Sequence, residues 1–249
     1  MYKKNYGNGK NLYIGFHGWG GDHRTFEPLI PYIPQNVTLI SVDLPGYGLT
    51  IEPIHWKLES LLSPILEELT KLETKKFSIV GNCSGAIIAL LVAQKIPERI
   101  EKLFLIDPLA YTPWYFKIFL HRFLGKQAYN ATFNTSFGRW LTNLSLKHRR
   151  TKDSNLTSSF KSINHKTVYQ YLRLLDSIGD YNLFREITIP IKIIYGAKTF
   201  KSVHKSVLLW LKIFPNSESY KLSNAAHLPL EEATEEISQL LFFKETGNL

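Results

Sequence analysis

One cysteine and one methionine are all the sulfur in this chain of 249 residues. With Cys83 as the single thiol, no intramolecular disulfide and no cysteine-rich metal site can form. No apolar run approaches the roughly 18–20 residues of a membrane-spanning helix, which argues against stable membrane insertion. The opening residues, Met1-Tyr-Lys-Lys-Asn-Tyr-Gly7, lack the apolar core of a signal peptide, so the expected location is cytoplasmic. Acidic residues are in short supply, 21 Asp and Glu against 30 Lys and Arg, for a net charge of +9. That surplus would suit nucleic acid, but no nucleic-acid motif accompanies it and the bases are spread along the chain, so no nucleic-acid partner is expected. The densest run, Lys147-His-Arg-Arg-Thr-Lys152, reads either as solvated surface or as a docking place for an acidic partner or an anionic substrate.

Apolar residues, in contrast, make up 44% of the chain, ample for one α/β domain carrying an insertion. The organising stretch is Gly81-Asn82-Cys83-Ser84-Gly85, which lies between the short apolar run Phe77 to Val80 and the long apolar run Ala86 to Ala93. That order reads strand, tight turn, helix. Glycines two places before and two places after a nucleophilic side chain are what a strained strand-to-helix turn requires, because a Cβ at either place would meet neighbouring backbone. A lone cysteine is ordinarily a small buried hydrophobe, and its position between these two glycines points instead to chemistry. Shifting the nucleophile to Ser84 would leave Asn82 and Ala86 where the glycines are needed.

Before this turn, Leu12 to Phe16 reads as a buried strand that ends on His17-Gly18-Trp19-Gly20-Gly21, and Val37 to Val42 reads as another, closing on Asp43-Leu-Pro-Gly-Tyr-Gly48. Trp56 to Leu72 has the apolar spacing of a helix. After the turn, Ile96-Pro-Glu-Arg-Ile leads into a strand ending at Asp107-Pro108. Residues from about Ala110 to Asp180 then break the rhythm, with no clear strand and a crowd of aromatics. Ile187 to Gly196 reads as a returning strand, and Ser223-Asn-Ala-Ala-His227-Leu-Pro precedes a terminal helix over Glu232 to Phe243.

Taken together, these segments resemble the α/β-hydrolase superfamily over nearly the full chain, with Cys83 in the place of the usual serine of G-x-S-x-G. The resemblance implies an α/β fold with a mainly parallel sheet covered by helices on both faces, a main domain of residues 1–109 and 181–249, and a helical cap over residues 110–180. It implies an oxyanion hole from the backbone N–H groups of Trp19 and Ser84, and a structural rather than catalytic Asp43. It implies His227 as the base. The family commonly places its acid three residues beyond the glycine that ends the returning strand, and that residue here is Thr199. Some branches take the acid from the end of the strand after the nucleophile helix, where this chain has Asp107, which could instead be a loop-capping residue before Pro108. Asp176 and Asp180 are further candidates for the acid.

Cysteine at this turn occurs in a minority of the superfamily, among them dienelactone hydrolases and polyhydroxyalkanoate synthases. A helix N-terminus and a neighbouring imidazole both favour a thiolate, and sulfur attacks thioesters and activated esters well. The expected function is acyl hydrolysis of an apolar ester or thioester through a covalent Cys83 acyl-enzyme, the acyl group being free or carried on an acyl carrier protein or coenzyme A. Acyl transfer through the same intermediate is one alternative, and non-catalytic ligand binding on a hydrolase frame is another. An aromatic cap points to a greasy substrate. Within it, Tyr115 to Leu124 mixes bulky apolar residues with Lys117, His121 and Arg122, which fits packing onto the main domain or contact with a membrane surface. No cofactor and no metal are expected.

Overall fold

The computed structural model describes residues 1–149 and 155–243; Arg150, Thr151 and Lys152 of the basic run lie outside the described residues. Seven strands form one sheet: β1 (Lys3–Gly7), β2 (Asn11–Phe16), β3 (Val37–Val42), β4 (Phe77–Asn82), β5 (Ile100–Ile106), β6 (Ile191–Gly196) and β7 (Glu218–Leu222). Their order is β1-β3-β2-β4-β5-β6-β7. Only β1 runs antiparallel to its neighbour, and every other pair is parallel.

The central strands are apolar at almost every position because both faces are covered, and adjacent residues point to opposite sides. Ile79, Leu105 and Ile193 join one core, while Val80, Phe104 and Ile194 join the other. The first core is closed by α1 (Leu58–Thr70), α2 (Gly85–Lys95) and α7 (Lys201–Ile213). The second is closed by the 3-10 segment His23–Tyr32 together with α8 (Pro229–Glu232) and α9 (Thr234–Phe242). Helix α2 is apolar on all sides and is buried from Gly85 to Ala93, as expected of a helix wedged between the sheet and its neighbours. At about 1.5–3 kcal/mol for each large side chain, that burial anchors the turn preceding it.

Between β5 and β6 the described chain is helical, with α3 (Trp114–Lys117), α4 (Gly125–Tyr129), α5 (Ser136–Ser145) and α6 (His165–Asp176), and contains no strand among the described residues. Two boundaries differ from expectation. The returning strand begins at Ile191 rather than Ile187, because Pro190 has no N–H to give to the ladder, although its carbonyl accepts from Leu103. The terminal helix is broken at Ala233, whose backbone (φ −144°, ψ 44°) leaves the helical region and separates α8 from α9. No described helix is long and apolar enough to cross a membrane.

Candidate active site

The turn between β4 and α2 puts Cys83 in the left-handed region, φ +51°, with its N–H donated to the Ile106 carbonyl at 2.8 Å. A non-glycine residue held there stores strain, and its neighbours show why it is tolerated. A Cβ on Gly81 would lie 2.5 Å from Ala86 Cα, and one on Gly85 would lie 2.2 Å from the Phe16 carbonyl oxygen. The backbone therefore passes through a gap only glycines fit. Ser84, by contrast, has ordinary helical angles (φ −66°, ψ −24°) as the N-cap of α2.

Asn82 and Ile106 are partners across β4 and β5, so the next residues, Cys83 and Asp107, leave adjacent strand ends together. Asp107 also has a left-handed backbone, φ +47°, and is fully buried. Its Oδ1 accepts from the Gly196 N–H at 3.0 Å and its Oδ2 from His227 Nδ1 at 2.9 Å. Cys83 lines the same cavity as this imidazole and is among the groups that set its electrostatics, while the ring's Nδ1 is taken by Asp107. Burial alone would lower the His227 pKa, but the Asp107 and Cys83 hydrogen bonds and charges outweigh it and push it up to about 10. The loop carrying His227 is held by Glu232, which accepts from the Ala226 and Leu228 N–H groups at 2.7 and 3.2 Å.

Of the other carboxylates considered, Asp180 caps a short turn by accepting from the Asn182 N–H, and Asp176 ends α6. Thr199 is not idle. It is fully buried, donates from Oγ1 to Asp107 Oδ2 at 2.6 Å, and lies 3.1 Å from His227 Nδ1. Sequence reasoning noted this position only for what it lacks; the hydroxyl beside a possible acid was the available signal.

His17 is fully buried and structural: Nδ1 donates to the Gly18 carbonyl at 2.9 Å and Nε2 accepts from the Leu44 N–H at 3.1 Å. Burial lowers its pKa, keeping the ring neutral as this pattern requires. These bonds tie the loop to the end of β3, and Trp19, two residues on, lines the same cavity as Cys83. No other described residue accepts from the backbone N–H of Trp19 or of Ser84. Asp43 accepts from the N–H groups of His23 and Leu49 and from His23 Nδ1, tying two loops together. Among the described residues, Asp22, His23 and Asp43 are the one group close enough to share a cation, but Asp43 is already engaged in this way and Asp22 clasps Arg24.

Trp19, Cys83, Ser84 and His227 all line one cavity of about 580 Å³. Its roof comes from the helical segment between β5 and β6. The Trp19 ring meets Phe116, Phe133 and Phe160 edge to face at 5.0 to 5.1 Å between centroids, and its Nε1 donates to the Val168 carbonyl. Other aromatics of that segment turn outward, with Trp114, Phe123, Phe137 and Trp140 exposed. The mixed run Tyr115 to Leu124 therefore divides by face: Tyr115, Phe116 and Phe119 line the cavity, while Ile118, Phe123 and Leu124 face solvent.

Comparison with known proteins gives a consistent result. The alpha/beta hydrolase fold family matches residues 14–234. A pimeloyl-[acyl-carrier protein] methyl ester esterase of Legionella pneumophila (strain Corby) is 27% identical over 240 residues, covering 92% of each chain. Among solved structures, an esterase from Exiguobacterium antarcticum superposes with a TM-score of 0.80 at 16% identity, covering 96% of this chain and 93% of that one. The enol-lactonase from Burkholderia xenovorans LB400 superposes with a TM-score of 0.78 at 14% identity, covering 96% and 94%.

Proposed function

The chain belongs to the α/β-hydrolase fold family, and from that premise we propose that it is an esterase-type acyl hydrolase working through a covalent acyl group on Cys83. The observation that carries this reading is the His227 imidazole, bonded to the Asp107 carboxylate at 2.9 Å, facing a largely apolar cavity that Cys83 also lines. Cys83 is the nucleophile, His227 the acid and base, and Asp107 the carboxylate that orients the ring. The backbone N–H groups of Trp19 and Ser84 hold the oxyanion, each worth about 3 kcal/mol in such sites.

With its pKa at about 10, the His227 imidazole rests as an imidazolium beside the sulfur. Sulfur attacks the acyl carbon, the tetrahedral oxyanion forms, and its collapse expels the alcohol or thiol, which takes the proton from His227. Acylation removes the sulfur's share of the interactions that hold that pKa up and leaves those of Asp107. The neutral imidazole can then take a proton from water, which attacks the thioester and releases the acid and Cys83. Asp107 serves both halves of the cycle, so the absence of a carboxylate at position 199, which motivates a non-catalytic reading, does not leave the imidazole unpartnered.

Residues 110–180 act as the cap, and their aromatic underside selects an apolar acyl chain and excludes water. A carrier-borne acyl ester is the favoured substrate. The Legionella relative is named for such a compound, and from Pro108 to Lys152 this sequence has no Asp or Glu at all. Lys117, Arg122, Lys126 and Lys147 are exposed on that segment, a surface that favours an acidic carrier protein or the phosphates of coenzyme A.

Incubation with a panel of acyl thioesters, activated esters and acyl-carrier-protein methyl esters, followed by intact mass, tests the reading. Wild type accumulates an acyl adduct on Cys83 and releases free acid, and Cys83→Ala does neither. If no donor in the panel yields adduct or turnover, the reading fails. Faster product formation from an added amine, alcohol or thiol than from water would assign transfer instead.

A further inference from the structure

We propose that Thr199 is a positioning residue, its hydroxyl pinning Asp107 Oδ2 against the His227 imidazole and sharing that oxygen's charge. The inference rests on the Cys83–His227–Asp107 reading above and concerns a residue that reading does not use. Three polar atoms meet in a triangle: Asp107 Oδ2, His227 Nδ1 at 2.9 Å from it, and Thr199 Oγ1 at 2.6 Å from the carboxylate and 3.1 Å from the ring nitrogen. An ionised carboxylate only accepts, so the Thr199 O–H must donate to Oδ2, and the short contact is that of a charge-assisted bond. With its proton so directed, Oγ1 turns a lone pair toward Nδ1–H. The imidazole proton is then shared between two acceptors and the ring is fixed in its plane.

The backbone is shaped to deliver this hydroxyl. Asp107 is joined to β6 twice, by the Gly196 N–H to Oδ1 at 3.0 Å and by its own N–H to the Ile194 carbonyl at 2.8 Å. The turn after β6 returns the Thr199 N–H to the Gly196 carbonyl at 3.3 Å, and the Lys198 N–H goes to the Ala225 carbonyl of the loop carrying His227. Arg149 adds a donor to the Thr199 carbonyl at 3.0 Å, so the residue is clamped from the helical segment as well. Thr199 is fully buried but does not line the cavity, so it acts on the imidazole through Asp107 and not on the substrate.

Removing the hydroxyl leaves Oδ2 to His227 alone. The ring also loses its second acceptor, but that contact is the longer one, 3.1 Å against 2.6 Å. The stronger effect is therefore the unshared carboxylate, which stabilises the imidazolium and makes the ring give up its proton at higher pH. Deacylation needs the neutral ring, and its rate at neutral pH therefore falls. The other groups against this cluster are Cys83 from the turn after β4, Tyr115 and Arg149 from the helical segment, Phe200 with its ring 4.6 Å from the imidazole, and Glu231 and Glu232 from α8.

The test compares Thr199→Val, Thr199→Ser and Asp107→Asn in the full chain, using pre-steady-state release of free acid from a pre-formed Cys83 acyl-enzyme across pH 5 to 9. Thr199→Val is expected to lower kcat at pH 7 by about tenfold with KM unchanged, and to move the rising limb of the deacylation profile upward by about one pH unit. Thr199→Ser keeps the donor and stays near wild type. If Thr199→Val does not fold, Thr199→Ala is read against the same limb. A limb that does not move on loss of the hydroxyl overturns the inference, and so does a Thr199→Ser enzyme as impaired as Thr199→Val, which would mean packing alone. Loss of the reading on which the inference rests is separately visible, because Asp107→Asn would then leave deacylation untouched.

Discussion

Asp107 and His227 meet at 2.9 Å although the strands they leave do not touch: β6 lies between β5 and β7. The carboxylate spans that gap because its backbone enters the left-handed region at the strand end and because the turn after β6 is narrow at Gly196, where a Cβ would lie 2.0 Å from the Ala226 carbonyl oxygen. The imidazole thus sits over the end of β6 and reaches both neighbours.

Replacing Asp107 with Asn keeps the shape but removes the charge that favours the imidazolium and fixes the ring's tautomer. Turnover is expected to fall by about 10²–10⁴ with little change in KM. Asp176→Asn and Asp180→Asn, remote from the imidazole, should each stay within about twofold of wild type in steady-state kinetics. Full activity in Asp107→Asn would transfer the role elsewhere.

The pH dependence of stability follows from His227, whose pKa in the folded chain, about 10, stands above its ordinary 6.5. A group raised on folding contributes stability that is fully present below its unfolded value and is lost as pH rises through its folded value. Thermal melts should therefore show a midpoint that declines from neutral pH to pH 10 and beyond. In His227→Asn that alkaline decline should be shallower, with less stability at pH 7. Parallel curves for the two proteins would contradict the assignment.

Gly85→Ala should be costly. The added Cβ meets the Phe16 carbonyl, and backbone on both sides is held in the sheet and in α2, so neither can yield cheaply. A loss of about 3 kcal/mol or more is expected in denaturant melts, with activity lost in the fraction that remains folded.

The basic face of the helical segment predicts a split between substrates. Lys117→Glu combined with Lys147→Glu should raise KM severalfold for an acyl-carrier-protein ester and increase its salt sensitivity, while a small uncharged ester of the same acid is hydrolysed as before. Equal effects on both would place those lysines outside recognition.

What the sequence by itself determined is local. The strand-to-helix turn is written in the spacing of Gly81 and Gly85 around Cys83, because clash between a Cβ and nearby backbone is a short-range constraint. The parallel sheet follows from continuous apolar strands alternating with helical runs, and the loop bearing His227 from its own small residues and proline. Tertiary structure alone decided which carboxylate touches the imidazole. Asp107, Asp176 and Asp180 look alike as letters, and only the meeting of the ends of β5, β6 and β7 separates them and gives the Thr199 hydroxyl a carboxylate to hold. It also divided the aromatics of the helical segment, turning Phe116, Phe133 and Phe160 onto Trp19 and leaving Phe137 and Trp140 to solvent. Composition counts rings, whereas the packing of short helices against one loop sets the direction each ring faces.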